Sequence, residues 1–260
     1  MYENVKADVS MKTMMKMLVA GVALTAMAAA PAQAKTLVNG IDAAFPPFAY
    51  VDKDGEAKGF DVDSLNWIAK EMGFEVKHQA VAWEGIIPSL VAEKIDFICS
   101  GMSITEKRQE QVDFTDPYWQ VKNVFVAKAD STLTVDEVLK GGKKIGMQQG
   151  TAEDQWLSNA RKEPENKDWN YTKRQYSAAA MAIGDVLNGR IDAAGMDTAP
   201  ANDAIKNGMP IKIVGAFGTA KDYGCAVRKT DPELLKMLNE GYKRLMASPK
   251  WEELKAKYKP

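Results

Sequence analysis

From Lys35 onward the chain alternates short apolar runs with segments in which apolar residues recur every three or four positions. Residues 37–41 read as a strand, and residues 61–72 set Val62, Leu65, Ile68, Ala69 and Met72 on one helical face before Gly73 stops the helix. Residues 74–81 predict a second strand. Residues 83–93 predict a helix with Ile86, Ile87, Leu90 and Val91 inward, and residues 95–99 a third strand. This βαβαβ order predicts a parallel sheet. The uninterrupted apolar run 123–127 then reads as a buried strand, and a second alternation follows. It comprises a strand at 144–148, a helix from Thr151, a strand at 171–174, a helix at 177–187 ended by Gly189, and strands at 191–195, 211–215 and 223–227. Residues 231–246 and 249–257 close the chain as helices, with Pro232 and Pro249 early in each. The second half repeats the order of the first, which predicts an α/β protein of two similar lobes around a cleft, joined by strands near 123–127 and 223–227.

Residues 11–34 follow a different pattern. Lys12 and Lys16 precede the apolar run 17–27, and Ala32-Gln33-Ala34 supplies small residues, which is the layout of a secretory signal peptide with cleavage expected after Ala34. The apolar core is shorter than the roughly 20 residues of a membrane span. The polar residues 1–10 precede a second methionine, so Met11 is an alternative start, and residues 1–34 are set aside as leader. With no cysteine beside the cleavage position, the expected product is a free periplasmic protein that does not span the membrane. Removing Lys6, Lys12 and Lys16, and Glu3 and Asp8, from totals of 34 basic and 35 acidic residues leaves 31 and 33, a net charge of −2. That balance gives no footing for nucleic-acid binding.

Cys99 and Cys225 are the only cysteines. An oxidising compartment permits one disulfide between them, but both lie in apolar strand-like runs, where two buried free thiols are the commoner outcome. His78 is the sole histidine, expected on a strand surface, so a Ser-His-Asp triad or a multi-histidine metal site has little to draw on.

The stretch 100–108, Ser-Gly-Met-Ser-Ile-Thr-Glu-Lys-Arg, follows an apolar strand and opens a polar helix. Free N–H groups at a helix start favour an anion, and an Arg fork one turn in can grip a carboxylate through two parallel bonds. The plainer alternative is a cap by Ser103 with Glu106, leaving Arg108 as a solvated helix charge. Asp197 has a similar alternative as the cap of the helix opening at Thr198-Ala-Pro200. Ligands of parallel sheets gather outside the carboxyl ends of strands, where Asp42 and Ser100 to Ser103 would face one pocket. Asp61 and Asp63 read as acids that favour a helix start, not as metal ligands, and Glu84 as a helix cap.

Further landmarks are Asp42-Ala-Ala-Phe-Pro-Pro-Phe48, Gly59-Phe-Asp-Val-Asp63, Trp83-Glu-Gly-Ile-Ile-Pro88, Val112-Asp-Phe-Thr-Asp-Pro-Tyr118, Gln149-Gly-Thr151 and Asp197-Thr-Ala-Pro200. With the 100–108 stretch they make the chain resemble the periplasmic solute-binding proteins of the polar amino-acid ABC-transporter family, bacterial extracellular solute-binding family 3. The resemblance implies the two-lobed type II periplasmic binding fold, with two parallel-sheet lobes joined by a two-strand hinge. Lobe 1 would hold residues 35–122 and 228–260, lobe 2 residues 129–221, and the hinge residues 123–128 and 222–227. It also implies a non-catalytic receptor without a cofactor, which captures an amino acid by closure and delivers it to an inner-membrane ABC permease.

By the same resemblance, Arg108 takes the ligand carboxylate with backbone help from Ser103 and Ala152, although Ala152 stands where relatives often carry Thr or Gly. Asp197, Ser103 and the Gly101 carbonyl receive the ammonium. Selectivity is expected from Asp42, Phe45, Trp83, Tyr118, Trp119, Gln148 and Met196, with Phe48 and Trp119 also readable as core. A carboxylate at Asp42 and aromatic faces at Phe45 and Trp83 suit a cationic side chain, so arginine, lysine or ornithine lead and glutamine follows. Two alternatives stand beside this reading. A lyase on the same fold, similar to cyclohexadienyl dehydratases, needs a proton donor aimed at the ligand, whereas Glu153 reads as an ordinary first-turn helix acid. A detached sensing domain would call for an output segment, which the chain does not show.

Overall fold

The computed structural model describes residues 35–260; the leader, its cleavage position and the alternative start lie outside the described residues. The first lobe opens with β1 (Thr36–Ile41), followed by the short strands β2 (Ala44–Phe45), β3 (Ala49–Val51) and β4 (Ala57–Lys58). Next come α1 (Phe60–Met72) and β5 (Glu75–Ala80). A 3-10 turn at Trp83–Gly85 leads into α2 (Ile86–Val91), then β6 (Phe97–Ile98), α3 (Glu106–Gln109) and β7 (Val112–Phe114). The second lobe runs through β8 (Trp119–Lys128), α4 (Val135–Lys140), β9 (Lys143–Gln148), α5 (Ala152–Ala160) and β10 (Tyr171–Tyr176). It continues with α6 (Ala179–Leu187), β11 (Ala193–Asp197), α7 (Thr198–Lys206) and β12 (Ile211–Tyr223). The chain then returns to the first lobe as β13 (Ala226–Arg228), α8 (Pro232–Met246) and α9 (Pro249–Tyr258).

One sheet orders its strands β5-β1-β6-β13-β7 and the other β10-β9-β11-β8-β12. In the first, β1 pairs in parallel with β5 and β6 while β13 runs antiparallel to β6 and β7; in the second, β9 pairs in parallel with β10 and β11 while β8 runs antiparallel to β11 and β12. The α/β architecture with two mostly parallel lobes is therefore the one the hydrophobic alternation predicts. Helices pack on both faces of each sheet, which is why the central strands β6 and β11 are buried along their length. Helices α1, α8 and α9 bury Leu65, Ile68, Leu238, Leu245 and Leu254 on one face of the first sheet, and α2 covers the other with Ile86 and Leu90.

The chain crosses between sheets at residues 115–118, from β7 to β8, and at residues 224–225, from β12 to β13. The expected hinge strands fall differently. Residues 123–128 lie inside the second sheet, because Asn123 to Val126 pair with β11 on one side and Asn123 to Lys128 with β12 on the other. Residues 222–227 divide between the end of β12 and β13. An apolar run marks burial, and here burial belongs to the lobe interior; the crossing is made by the less regular segments beside it.

Other expectations also change. Cys99 and Cys225 form a disulfide that links the segment after β6 to the crossing before β13, so the free-thiol reading is corrected. The register brings them together: Ala226 pairs with Ile98 on adjacent strands. Thr105, not Ser103, caps α3, its hydroxyl accepting from the Arg108 N–H at 3.3 Å. The residue capping α1 is Gly59, and Asp61 is fully buried while Asp63 bonds Lys257 and Tyr258 of α9. His78 sits on β5 between Asn39 and Asn66, 3.2 Å from each.

Candidate functional site

The carboxyl ends of β1 and β6 present Asp42 and residues 100–103 to the cleft. The Asp42 N–H donates to Ser100 Oγ at 2.9 Å, and its Oδ1 accepts from the Ala44 N–H at 3.0 Å, so the side chain is held facing the second lobe. Burial raises the pKa of Asp42, against the hydrogen bonds it accepts. Gly101 adopts a left-handed φ of 57°, and a Cβ there would fall 2.5 Å from the Phe45 ring; only glycine lets this loop pass between Phe45 and Tyr223. The Gly101 N–H donates at 2.6 Å to Asp61 Oδ2, which also accepts from Tyr118 Oη at 2.8 Å.

Arg108 projects from α3 and is only 4% exposed. One guanidinium nitrogen donates to the Ser103 carbonyl at 2.7 Å and the other to the Gly150 carbonyl of the second lobe at 3.2 Å. The guanidinium lies 5.3 Å from the centre of the Trp83 ring. Burial lowers its pKa, but an arginine retains its charge in such a setting.

The second lobe contributes the ends of β9 and β11 and the start of α5. Gln148 ends β9 and donates from Nε2 to Asp42 Oδ2 at 2.6 Å, a second bond across the cleft. Thr151 caps α5, accepting from the Asp154 N–H at 3.3 Å, and Asp154 in turn accepts from the Gly150 N–H at 3.1 Å. That arrangement turns the Gly150 carbonyl toward Arg108 and leaves the first N–H groups of α5, at Ala152 and Glu153, without intrahelical partners.

Asp197 ends β11 at the entrance to α7, yet its side chain makes no cap bond. Its Oδ2 accepts from Tyr223 Oη, and its buried Oδ1 has no protein partner. Burial pushes its carboxyl up to about 6, with the Tyr223 bond and the Arg108 charge opposing. Glu153 is buried as well and is pushed up to about 8 by burial and then by Asp197, against hydrogen bonds to its own backbone N–H and Thr151 and against the Arg108 charge.

These groups line a small cavity between the lobes. It brings together Arg108, Ser103, Ala152, Asp197, Gly101, Asp42, Phe45, Trp83 and Gln148 from the sequence-based set, and adds Ser100, Thr151 and Glu153. Tyr118 and Met196 do not line it. Tyr118 stacks on Tyr242 at 4.7 Å and bonds Asp61, and Met196 is buried among Val124, Val126 and Ile211. Trp119 and Phe48 belong to the aromatic core of the first lobe, 6.1 Å apart. Trp83 meets Arg108 with one face, so that face is engaged by the protein's own cation. Ser100 lies within the 100–108 stretch that opens the polar helix. Glu153 and Asp61 carry no sequence signal that separates them from ordinary helix-start acids. Among the described residues no cluster of three or more His, Cys, Asp or Glu is arranged to hold a metal ion.

Two opposed charges, Arg108 and Asp197, thus face one enclosed cavity from different lobes, with a third charged group at Asp42. A family model described as bacterial extracellular solute-binding proteins, family 3, matches residues 37–260. The chain belongs to this family. The ABC transporter arginine-binding protein 1 of Escherichia coli (strain K12) is 32% identical over 251 residues, covering 95% of this chain and 100% of that protein. The histidine-binding periplasmic protein of the same strain is 32% identical over 248 residues, covering 90% and 91%. Among solved structures, an ancestral arginine-binding protein bound to arginine matches with a TM-score of 0.78 at 34% identity, covering 86% of this chain and 97% of that one. The chain is accordingly a solute-binding protein of this family with a two-lobed α/β fold, similar to proteins named as arginine- and histidine-binding.

Proposed function

We infer that this family-3 protein is a periplasmic receptor for a free L-amino acid with a basic side chain, arginine, lysine or ornithine before glutamine, and that it passes the ligand to an inner-membrane ABC permease. The observation that carries this reading is the charge layout of the cavity, in which Asp42, Glu153 and Asp197 face a single guanidinium, Arg108. A zwitterion uses Arg108 for its carboxylate and the unpartnered Oδ1 of Asp197 for its ammonium, with Gly101 and Ser103 as further acceptors. A cationic side chain then has Asp42 as its partner, and glutamine has Asp42 and Gln148 as hydrogen-bonding groups. An acidic ligand would place a further anion among carboxylates.

Closure follows from the origin of these groups. Asp42 and Arg108 come from the first lobe, Gln148, Gly150 and Asp197 from the second, and the bonds Arg108–Gly150 and Gln148–Asp42 cross between them. A ligand that bridges both sets favours the closed arrangement by its greater affinity for it, with the crossings at 115–118 and 224–225 as the hinge. Micromolar to nanomolar capture corresponds to about 8–12 kcal/mol, within reach of two or three desolvated charge pairs. The test is calorimetric titration of unfolded and refolded protein with the twenty common L-amino acids and ornithine. Tight binding of a basic amino acid is expected; tight binding of an acidic or apolar one alone would overturn the reading.

A further inference from the structure

With Arg108, Asp197 and Asp42 each given a ligand group, one charged residue of the cavity has no assigned partner. Glu153 lines the cavity from the first turn of α5 and is 4% exposed, and among the described residues no ion pair reaches it. The groups that face it are Asp197 from the end of β11, Arg108 from α3, Tyr223 from β12 and, across the cavity, Asp42. On its own helix the neighbouring Asp154 is already paired with Lys173 of β10. Arg108 is the single cation of the group, and a bound zwitterion engages it with a carboxylate. The ligand ammonium against Asp197 and the ligand carboxylate against Arg108 then bring nearly cancelling charges to Glu153, while filling the cavity removes water from it. Both changes leave an ionised Glu153 as an uncompensated buried charge, which a protein avoids by neutralising the group.

Resting on the amino-acid reading above, we propose that Glu153 is a ligand-binding residue that works as a neutral acid: it takes up a proton as the cleft closes on the ligand and presents an O–H beside Arg108 to the bound carboxylate. No atom is left over in this step, since the proton comes from solvent and stays on the Glu153 carboxyl. Burial, which pushes the group up to about 8 in the closed cleft, points the same way. A carboxyl whose pKa is higher in the closed, loaded form than in the open form makes binding favourable at low pH and weaker as pH rises toward the closed-form value. The upper part of the pH range from 6 to 8 reads this group, because the sole histidine, His78, lies on β5 and is lowered to about 4 by burial, and Asp197, raised to about 6, gives up its proton mainly below pH 7. Asp61, pushed up to about 7 by burial, does not line the cavity; its partners are Gly101 in the first lobe and Tyr118 at the end of the 115–118 crossing.

The experiment titrates refolded protein with L-arginine at several pH values from 6 to 8, each in buffers of different ionisation enthalpy. The expected result is uptake of close to one proton near pH 7 and a Kd that weakens by about tenfold or more from pH 6 to pH 8. Glu153→Gln keeps a donor of the same shape without titrating, so it binds with no proton uptake, a flat pH profile and a tighter Kd than the unmodified protein at pH 8. Glu153→Ala loses the donor and binds more weakly at every pH. Tight binding with a flat profile and no proton uptake would overturn the role of Glu153 alone, as would a Glu153→Gln variant that keeps the slope. If that variant fails to fold, the proton count of the unmodified protein decides. Failure of L-arginine to bind at any pH strikes the basic-ligand reading, and the proposal with it.

Discussion

Replacing Arg108 by alanine removes the cavity's one guanidinium, and the structure sets the size of the loss. The side chain is 4% exposed, makes bonds of 2.7 Å to the Ser103 carbonyl and 3.2 Å to Gly150, and lies 5.3 Å from the Trp83 ring centre. The Ser103 bond and the Trp83 contact lie within the first lobe, so they orient the guanidinium before the cleft closes and reduce the ordering cost of its grip on a carboxylate. Truncating one member of a buried, hydrogen-bonded charge pair costs about 2–5 kcal/mol, which is about 30-fold to several thousand-fold in Kd. The loss also leaves Glu153 and Asp197 without the cation that opposes their upward shift. Folding also loses the two bonds to the Ser103 and Gly150 carbonyls, so thermal unfolding is read beside binding to separate the two effects. The assay is calorimetry with the preferred amino acid beside thermal unfolding of the same sample. A folded Arg108→Ala protein that binds within about threefold of the unmodified one would refute the assignment of Arg108 to the ligand carboxylate.

Other perturbations address separate groups. Asp42→Asn is expected to weaken a basic ligand by about 1.5–3 kcal/mol while changing glutamine binding far less, because only the cation loses a charge partner; equal losses in parallel titrations would remove Asp42 as the selectivity residue. Asp61→Asn tests the pH dependence of folding. Both bonds of Asp61 go to Oδ2 and its Oδ1 is unpartnered, so an amide fits as a protonated acid does. Burial pushes Asp61 up to about 7, so the folded state binds its proton more tightly than the unfolded state does. Its contribution is full at low pH and is lost as pH rises toward 7. Thermal unfolding from pH 5 to 8 should show that loss in the unmodified protein and a shallower one in Asp61→Asn; identical slopes would reject it. Replacing Cys99 and Cys225 together by serine opens a link across a sequence separation of 126 residues. This should lower stability by about 2–5 kcal/mol in denaturant unfolding, and unchanged stability would count against the bridge.

The elements were legible where one physical signal dominated. Helical spacing of Val62, Leu65, Ile68 and Ala69, ended by the left-handed Gly73, marks α1 within a residue of its observed start. Residues 211–215 show only the first part of β12, because from Gly215 onward most of the strand is exposed or half-buried and its ladder breaks between Phe217 and Lys221. Burial also explains the hinge, since apolar residues 123–127 signal a strand interior and carry no information about where the chain changes sheets. At the site, Arg108, Asp197 and Asp42 stood out as charges at strand or helix ends. Tyr118 was misplaced because an aromatic next to a site looks the same in sequence whether its hydroxyl faces the ligand or, as here, a buried carboxylate. Asp61, Asp63, Glu153 and Asp154 share one appearance, acids in a first helical turn, yet the fold gives them different partners. Only the tertiary arrangement separates the acid that caps or bonds from the acid that lines the cavity.

The central claim is that one ligand is held at three points: its carboxylate at Arg108, its ammonium at Oδ1 of Asp197 and its side-chain cation at Asp42. The measurement that tests it most directly is a crystal structure of the refolded protein with L-arginine. The account predicts the amino acid enclosed between the lobes, with the carboxylate on the Arg108 guanidinium, the ammonium within hydrogen-bond reach of Asp197 and the ligand guanidinium against Asp42. A ligand bound in the reverse orientation, or outside this cavity, would contradict it.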